Sequence, residues 1–232
     1  MDREIRTIRY EGRTFFRYSS YDTPFWARNN VSAGRWHLPG RHATQYLSAD
    51  PDGAWAELIR HEGLRSEDDA ALVHMQMWAV DVDQANLVDY STFAKVEAAG
   101  FSPGALIDDD WAGCQGEGQL LRSLGYAGVV APSAALRGAV NITIFGRRIR
   151  TTWGHSTRLA SAIPACVVAV GSPPPGLVGR VRHYGEAHLG YERFLEENAE
   201  PAGIERPDEA EELKPLEDVW DPISPQDDEE AP

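Results

Sequence analysis

Apolar positions in this chain come as short runs broken by polar turns, and few stretches hold one periodicity for long. The clearest element opens at Asp50. Aspartate is a good N-cap and proline suits the first helical position, so Asp50-Pro51 starts a helix over residues 51 to about 61 that stops at Gly63. Residues 43–47 read as a short strand before it, and residues 71–80 alternate well enough for a strand after it. Residues 93–99 predict a short helix closed by Gly100, and residues 118–124 another ending at Gly125. Strands follow at residues 127–131, closed by Pro132-Ser133, at 141–145, and at 165–170, where the turn Gly171-Ser172-Pro173 ends the run. This irregular order lacks the even alternation of a doubly wound sheet, so the fold class is α+β with one mixed-sheet domain.

Composition narrows the class. With 232 residues, 42 % hydrophobic and 25 % charged, the chain can bury one sizeable core or two small ones. That excludes a coiled coil, a collagen-like chain and a wholly disordered one. No run of about 18 apolar residues predicts a membrane helix. The charged start Met1-Asp2-Arg3-Glu4-Ile5-Arg6 has no apolar signal region. Two distant cysteines, Cys114 and Cys166, make no disulfide framework or zinc knuckle, and they fit a reducing cytosol, so the expected location is cytoplasmic.

Charge divides the chain. Residues 191–232 hold 16 acidic and 3 basic side chains, whereas residues 1–190 hold 20 acidic and 19 basic. The expected organisation is a body over 8–190 and an acidic, proline-punctuated tail over 191–232. That tail is either disordered or docked on the body or a partner. Its apolar anchors are Leu213, Leu216, Val219, Trp220 and Ile223, and it is a candidate brake over an arginine-lined cleft or a dock for a partner protein. Such a tail repels phosphates, so no direct nucleic-acid binding is expected. Only Lys95 and Lys214 are lysines, so an anion on the body would be gripped by guanidinium forks.

Several chemistries lack their motifs. There is no Walker-type phosphate loop and no nucleophile elbow. The Gly113–Gly118 run has the wrong spacing for a dinucleotide turn. His61-Glu62 has no second histidine at zinc-protease spacing, and His37 and His42 have no nearby third ligand, so no metal is expected.

Four segments carry candidate chemistry. Phe16-Arg17-Tyr18 closes a β-type run, and Ser32-Ala33-Gly34-Arg35-Trp36-His37 forms a loop. Tyr46-Leu47-Ser48 leads into the helix bearing Glu57, and Val130-Ala131-Pro132-Ser133 is followed by Asn141. Over roughly residues 13–145 this order resembles the RES-domain family, mostly toxins of bacterial toxin–antitoxin pairs. The resemblance implies an ADP-ribosyltransferase-like fold and destruction or transfer of NAD. Arg17 and Tyr18 match the family's arginine–tyrosine pair, Arg35 its G-R-W arginine, Tyr46 and Glu57 its tyrosine and glutamate, and Ser133 its serine with Asn141 beyond. Trp111 and Gln115 fall where the family often has tryptophan and glutamine. The implied catalytic residues are Glu57, Arg17 and Tyr46, and the implied binding residues are Tyr18, Arg35, Ser133 and Asn141.

The residue types suit the task. Cleaving NAD at its nicotinamide–ribose bond passes through an oxocarbenium-like state and releases a good leaving group. A carboxylate must hold the ribose hydroxyls and stabilise the cation. Arginines must fork onto pyrophosphate, and an aromatic face must hold the nicotinamide. Each residue also has an ordinary reading: Glu57 paired with Arg60 or Arg65, Arg35 stacked on Trp36, Tyr46 in the core, Ser133 in a turn. The expected function is an NAD-depleting toxin, a glycohydrolase or phosphorylase, with NAD as substrate, phosphate as a candidate acceptor and an antitoxin protein as partner. Alternatives are ADP-ribosylation of a protein and a silent nucleotide- or partner-binding module. A homo-oligomer stays open.

Overall fold

The computed structural model describes residues 3–20, 24–25, 28–146 and 165–199. Residues 147–164 and the acidic segment from 200 onward, with its apolar anchors, lie outside the described residues.

Local chemistry sets the first helix. Asp50 Oδ1 accepts the Gly53 N–H at 2.6 Å, Pro51 opens α1 (Pro51–Glu62), and Gly63 closes it in the left-handed region at φ 66°. Strand β1 (Thr7–Ser19) precedes β2 (Thr44–Ser48), which leads into α1. Helix α2 (Glu67–Ala71) and strand β3 (Met75–Asp89) follow. The strand expected at 71–80 therefore starts later and runs further, because β1 and β3 form a long antiparallel ladder from Thr7↔Val88 to Ser19↔Gln76. Helix α3 (Phe93–Ala98) is capped by Thr92.

Helix α4 (Ala112–Ser123) begins six residues before the expected Gly118. Gly113, Gly116 and Gly118 depress helix propensity, but burial of Cys114 and Leu121 outweighs that cost. Strands β4 (Gly128–Pro132), β5 (Val140–Phe145) and β6 (Ala165–Gly171) complete one six-stranded mixed sheet in the order β1-β2-β5-β4-β3-β6. Only β3–β4 is parallel. Pairing of β1 with β3 joins the first five strands into a ring, and β6 lies along the outer edge of β3.

One core cluster fills the space around Phe15, Trp78, Leu87 and Ile142. A second packs α1 on Met77 and Leu177, and a third packs α3 and α4 on Tyr90 and Val129. Helix α5 (Leu189–Asn198) extends the folded unit past Gly190, to Glu197. Residues 191–197 were expected to begin the tail, yet Tyr191 and Phe194 lie 5.2 and 5.6 Å from the Phe93 ring. Their apolar area offsets the local acidity.

Near the other end, Arg3 forks onto Glu117, with Nη1 donating to Oε2 at 2.9 Å and Nη2 to Oε1 at 2.8 Å. The Tyr90 hydroxyl donates to Oε1 at 2.6 Å. The Glu117 side chain is 4 % exposed, but Arg3 is 27 % exposed and partly screened. Glu117→Ala strands both donors, and we expect it to lower unfolding free energy by about 2–4 kcal/mol. Urea titration checks this; a loss below about 0.5 kcal/mol would count against a stabilising network.

Candidate active site

The sheet is pinched at one place. β1 pairs with β3 along most of its length but meets β2 only at Phe16↔Ser48. Where that ladder gives out, a cavity of about 940 Å³ opens. It is lined by Arg17 and Tyr18 from β1, Tyr46 from β2, Glu57 from α1, Asn141 from β5, and the loop bearing Arg35. Six of the seven expected site residues thus share one wall system. Ser133 is fully buried behind it and reaches it through Glu57.

Glu57 is positioned from two strands. Ser133 Oγ accepts the N–H groups of Ala135 and Leu136, both at 3.1 Å, so its own proton is directed at Glu57 Oε1, 2.7 Å away. Asn141 Nδ2 donates to the same oxygen at 2.6 Å. Both donors converge on Oε1 and leave Oε2 to the cavity. Asn141 Oδ1 and Trp111 Nε1 are buried at the same cavity without partners among the described residues. The ordinary ion-pair reading of Glu57 does not describe this site, because Arg60 pairs with Asp109 and Arg65 with Glu186. Neutral donors hold the Glu57 carboxylate instead.

Arg17 Nη1 donates to Gln45 Oε1 at 3.0 Å. Burial pulls its pKa down to about 10, which leaves it a cation at neutral pH. Tyr18 is pushed up to about 12, first by burial and then by the Glu57 charge, so its hydroxyl stays protonated. Arg35 Nη1 donates to the Asp108 carbonyl at 2.9 Å, and its guanidinium lies 6.0 Å from the Trp111 ring centre. Its stacking partner is therefore Trp111, since Trp36 is buried in the core cluster of α4.

Tyr46 holds the Arg35 loop. Its hydroxyl accepts the Trp36 N–H at 3.0 Å and lies 2.8 Å from His37 Nδ1, while His37 Nε2 lies 2.9 Å from the Ser32 carbonyl. A carbonyl only accepts, so Nε2 carries the proton, Nδ1 is bare and Tyr46 donates to it. Burial drives the Tyr46 pKa well above its ordinary value. Gln115 Nε2 adds a bond to the Gly34 carbonyl at 3.1 Å. Glycine is required twice here: a Cβ on Gly34 would come within 2.7 Å of the Tyr46 hydroxyl, and one on Gly118 within 2.6 Å of the Trp36 carbonyl.

Sequence reasoning assigned no site role to Arg60 and did not identify Tyr184. Arg60 lies in the cavity wall under the Tyr184 ring, 4.3 Å from its centre. The available signal was its place three residues after Glu57, on the same helix face. Tyr184 had no signal, being brought in from 127 residues further along.

The sequence model of the RES domain family matches residues 9–160. The NAD(+) phosphorylase MbcT of Mycobacterium bovis and that of Mycobacterium tuberculosis are each 28 % identical over 119 residues, 50 % of this chain and 63 % of theirs. The match thus spans less than two thirds of those relatives. Among solved structures, the crystal structure of the M. tuberculosis MbcT–MbcA toxin–antitoxin complex aligns with a TM-score of 0.54 and 22 % identity, covering 76 % of this chain and 91 % of that one. That likeness establishes the fold.

Burial also lowers the His37 pKa below its ordinary value. A histidine shifted down favours the neutral folded form, so its contribution to stability is present above about pH 6.5 and is lost as pH falls through that value toward the folded pKa. Nitrogen-detected NMR should find His37 as the Nε2–H tautomer, titrating below 6.5. Titration above 6.5, or a proton on Nδ1, would contradict the Tyr46 hydrogen bond as assigned.

Proposed function

This chain belongs to the RES domain family, and we propose that its cleft breaks the nicotinamide–ribose bond of NAD, with phosphate or water accepting the ADP-ribose. The observation that carries this reading is the fixed Glu57 carboxylate, one oxygen held by Ser133 and Asn141 and the other left to an arginine-walled cavity. Nicotinamide leaves as a neutral molecule, so little acid catalysis is needed. What the site must supply is negative charge beside the oxocarbenium-like ribose, and a carboxylate that is already oriented does so without reorganisation. Glu57 Oε2 accepts a ribose hydroxyl in this reading. Asn141 Oδ1 and Trp111 Nε1, both unpaired, are an acceptor and a donor for the substrate's remaining polar groups.

Arg17 and Arg35 provide the pyrophosphate grip. Both are held in place before substrate arrives, by Gln45 and by the Asp108 carbonyl, so little side-chain freedom is lost on binding. Tyr18 offers an aromatic face beside Glu57 for the nicotinamide. Tyr46 acts as a positioning residue: its raised pKa suits a hydrogen-bonding phenol and not a proton carrier. The ADP-ribosyltransferase-like character of the fold belongs to the same proposal. So does a toxin role with an antitoxin protein as partner, which the likeness to MbcT in its toxin–antitoxin complex supports.

Proton NMR of NAD with the purified protein, with and without millimolar phosphate, tests the reaction. Wild type should release nicotinamide. Glu57→Ala should be slower by roughly two to three orders of magnitude, the usual cost of losing one preorganised electrostatic group. In bacterial cells, wild type should arrest growth and Glu57→Ala should not. Equal rates for both proteins would remove Glu57 from the chemistry, and label retained on protein would make the acceptor a side chain.

A further inference from the structure

Arg60 is a buried cation with incomplete compensation. It is 3 % exposed in the cavity wall, and its Nε is buried without a partner. Its carboxylate partner, Asp109, is shared: Asp109 Oδ1 also lies 3.3 Å from Arg182, and Oδ2 accepts the Gly185 N–H at 2.6 Å. Arg182 uses its other donors on the carbonyls of Ile107, Ala134 and Glu186. The buried Arg60 and the partly buried Arg182 thus lean on one carboxylate. Glu186 does not relieve them, since its carboxylate accepts the His183 N–H and pairs with Arg65.

Arg60 stands in the cavity wall with Glu57, the one lining carboxylate among the described residues. A buried cation that shares its carboxylate is costly, so its open Nε points to an anionic ligand. Position agrees: Arg60 follows Glu57 by three residues, so both side chains leave one face of α1 with Cβ atoms about 5–6 Å apart.

We propose that Arg60, backed by Arg182 through Asp109, holds the acceptor phosphate beside the Glu57-bound ribose. The proposal rests on the NAD-cleaving reading above and selects phosphate over water. In the step it serves, a phosphate oxygen forms the bond to the ribose anomeric carbon. The carbon–nitrogen bond breaks, and its electron pair leaves with the ring nitrogen, making nicotinamide neutral. The phosphate keeps its proton and the products are nicotinamide and ADP-ribose 1-phosphate. A planar fork suits this task because it presents two parallel donors to a tetrahedral anion.

The test uses Arg60→Lys, which keeps the charge and loses the fork, and Arg60→Met, which loses both. In steady-state kinetics with both substrates varied, the KM for phosphate should rise roughly tenfold or more in Arg60→Met and less in Arg60→Lys. The KM for NAD should stay within about threefold. Independently of turnover, inorganic phosphate should raise the Tm of the wild-type protein, and this rise should shrink in Arg60→Lys. A phosphate KM and a phosphate-induced Tm rise that match wild type in Arg60→Lys would overturn the proposal. So would absence of any phosphate-induced rise in wild type, or a rise in the KM for NAD alone, which would assign Arg60 to the pyrophosphate. Should Arg60→Met not fold, Arg60→Lys decides. If wild type releases no nicotinamide, the NAD reading fails while the thermal shift still reports on the anion subsite.

Discussion

A single carboxylate oxygen ties the site together. Glu57 Oε1 receives the Ser133 hydroxyl and the Asn141 amide, so α1, the end of β4 and β5 meet at one point. Neither donor is free to turn away. Two backbone N–H groups fix the direction of the Ser133 hydroxyl. Asn141 sits in register opposite Ser48 on one side and Ala131 on the other. Both donors are neutral, so they orient the carboxylate without cancelling its charge. A guanidinium at the same place would hold Glu57 as firmly and neutralise the charge it presents to the cavity.

The second constraint is the gap in the sheet. Strand β1 follows β3 closely and pairs with β2 at one position, Phe16↔Ser48. The gap lets side chains from both strands face a common space without breaking the core on either side. Arg17 and Tyr46 enter it from opposite edges, and the Arg35 loop closes over it through Tyr46, His37 and Gln115. The loop bends tightly there, and Gly34 and Gly118 are the residues that allow the close approach. Loop, strand and α4 therefore form one support for Arg35 in the cavity wall.

Cation burial is the third. Arg17 and Arg60 are desolvated enough for burial to lower their pKa values, and both remain in the wall of the cavity. A protein that ordered these groups only for stability would gain by replacing them with apolar side chains. Both stand in a cavity wall whose one lining carboxylate among the described residues is Glu57.

Local chemistry was legible in the chain. The Asp50 cap, Pro51 and Gly63 delimit α1 within a residue or so, because each acts on its own backbone. Strand periodicity placed β2, β4, β5 and β6 for the same reason. The order of motifs brought Arg17, Tyr18, Arg35, Tyr46, Glu57, Ser133 and Asn141 forward as one set. What the chain left open depends on partners distant in sequence. Helix α4 forms through three glycines because Cys114 and Leu121 bury against neighbouring elements. Residues 191–197 fold because Phe93 waits for them, despite their acidic composition. The identity of the group that holds Glu57, and of the one that Arg60 takes instead, followed only from which side chains the closed sheet brought within 3 Å. Periodicity and capping are properties of a segment, whereas charge compensation and cavity shape are properties of the packed whole.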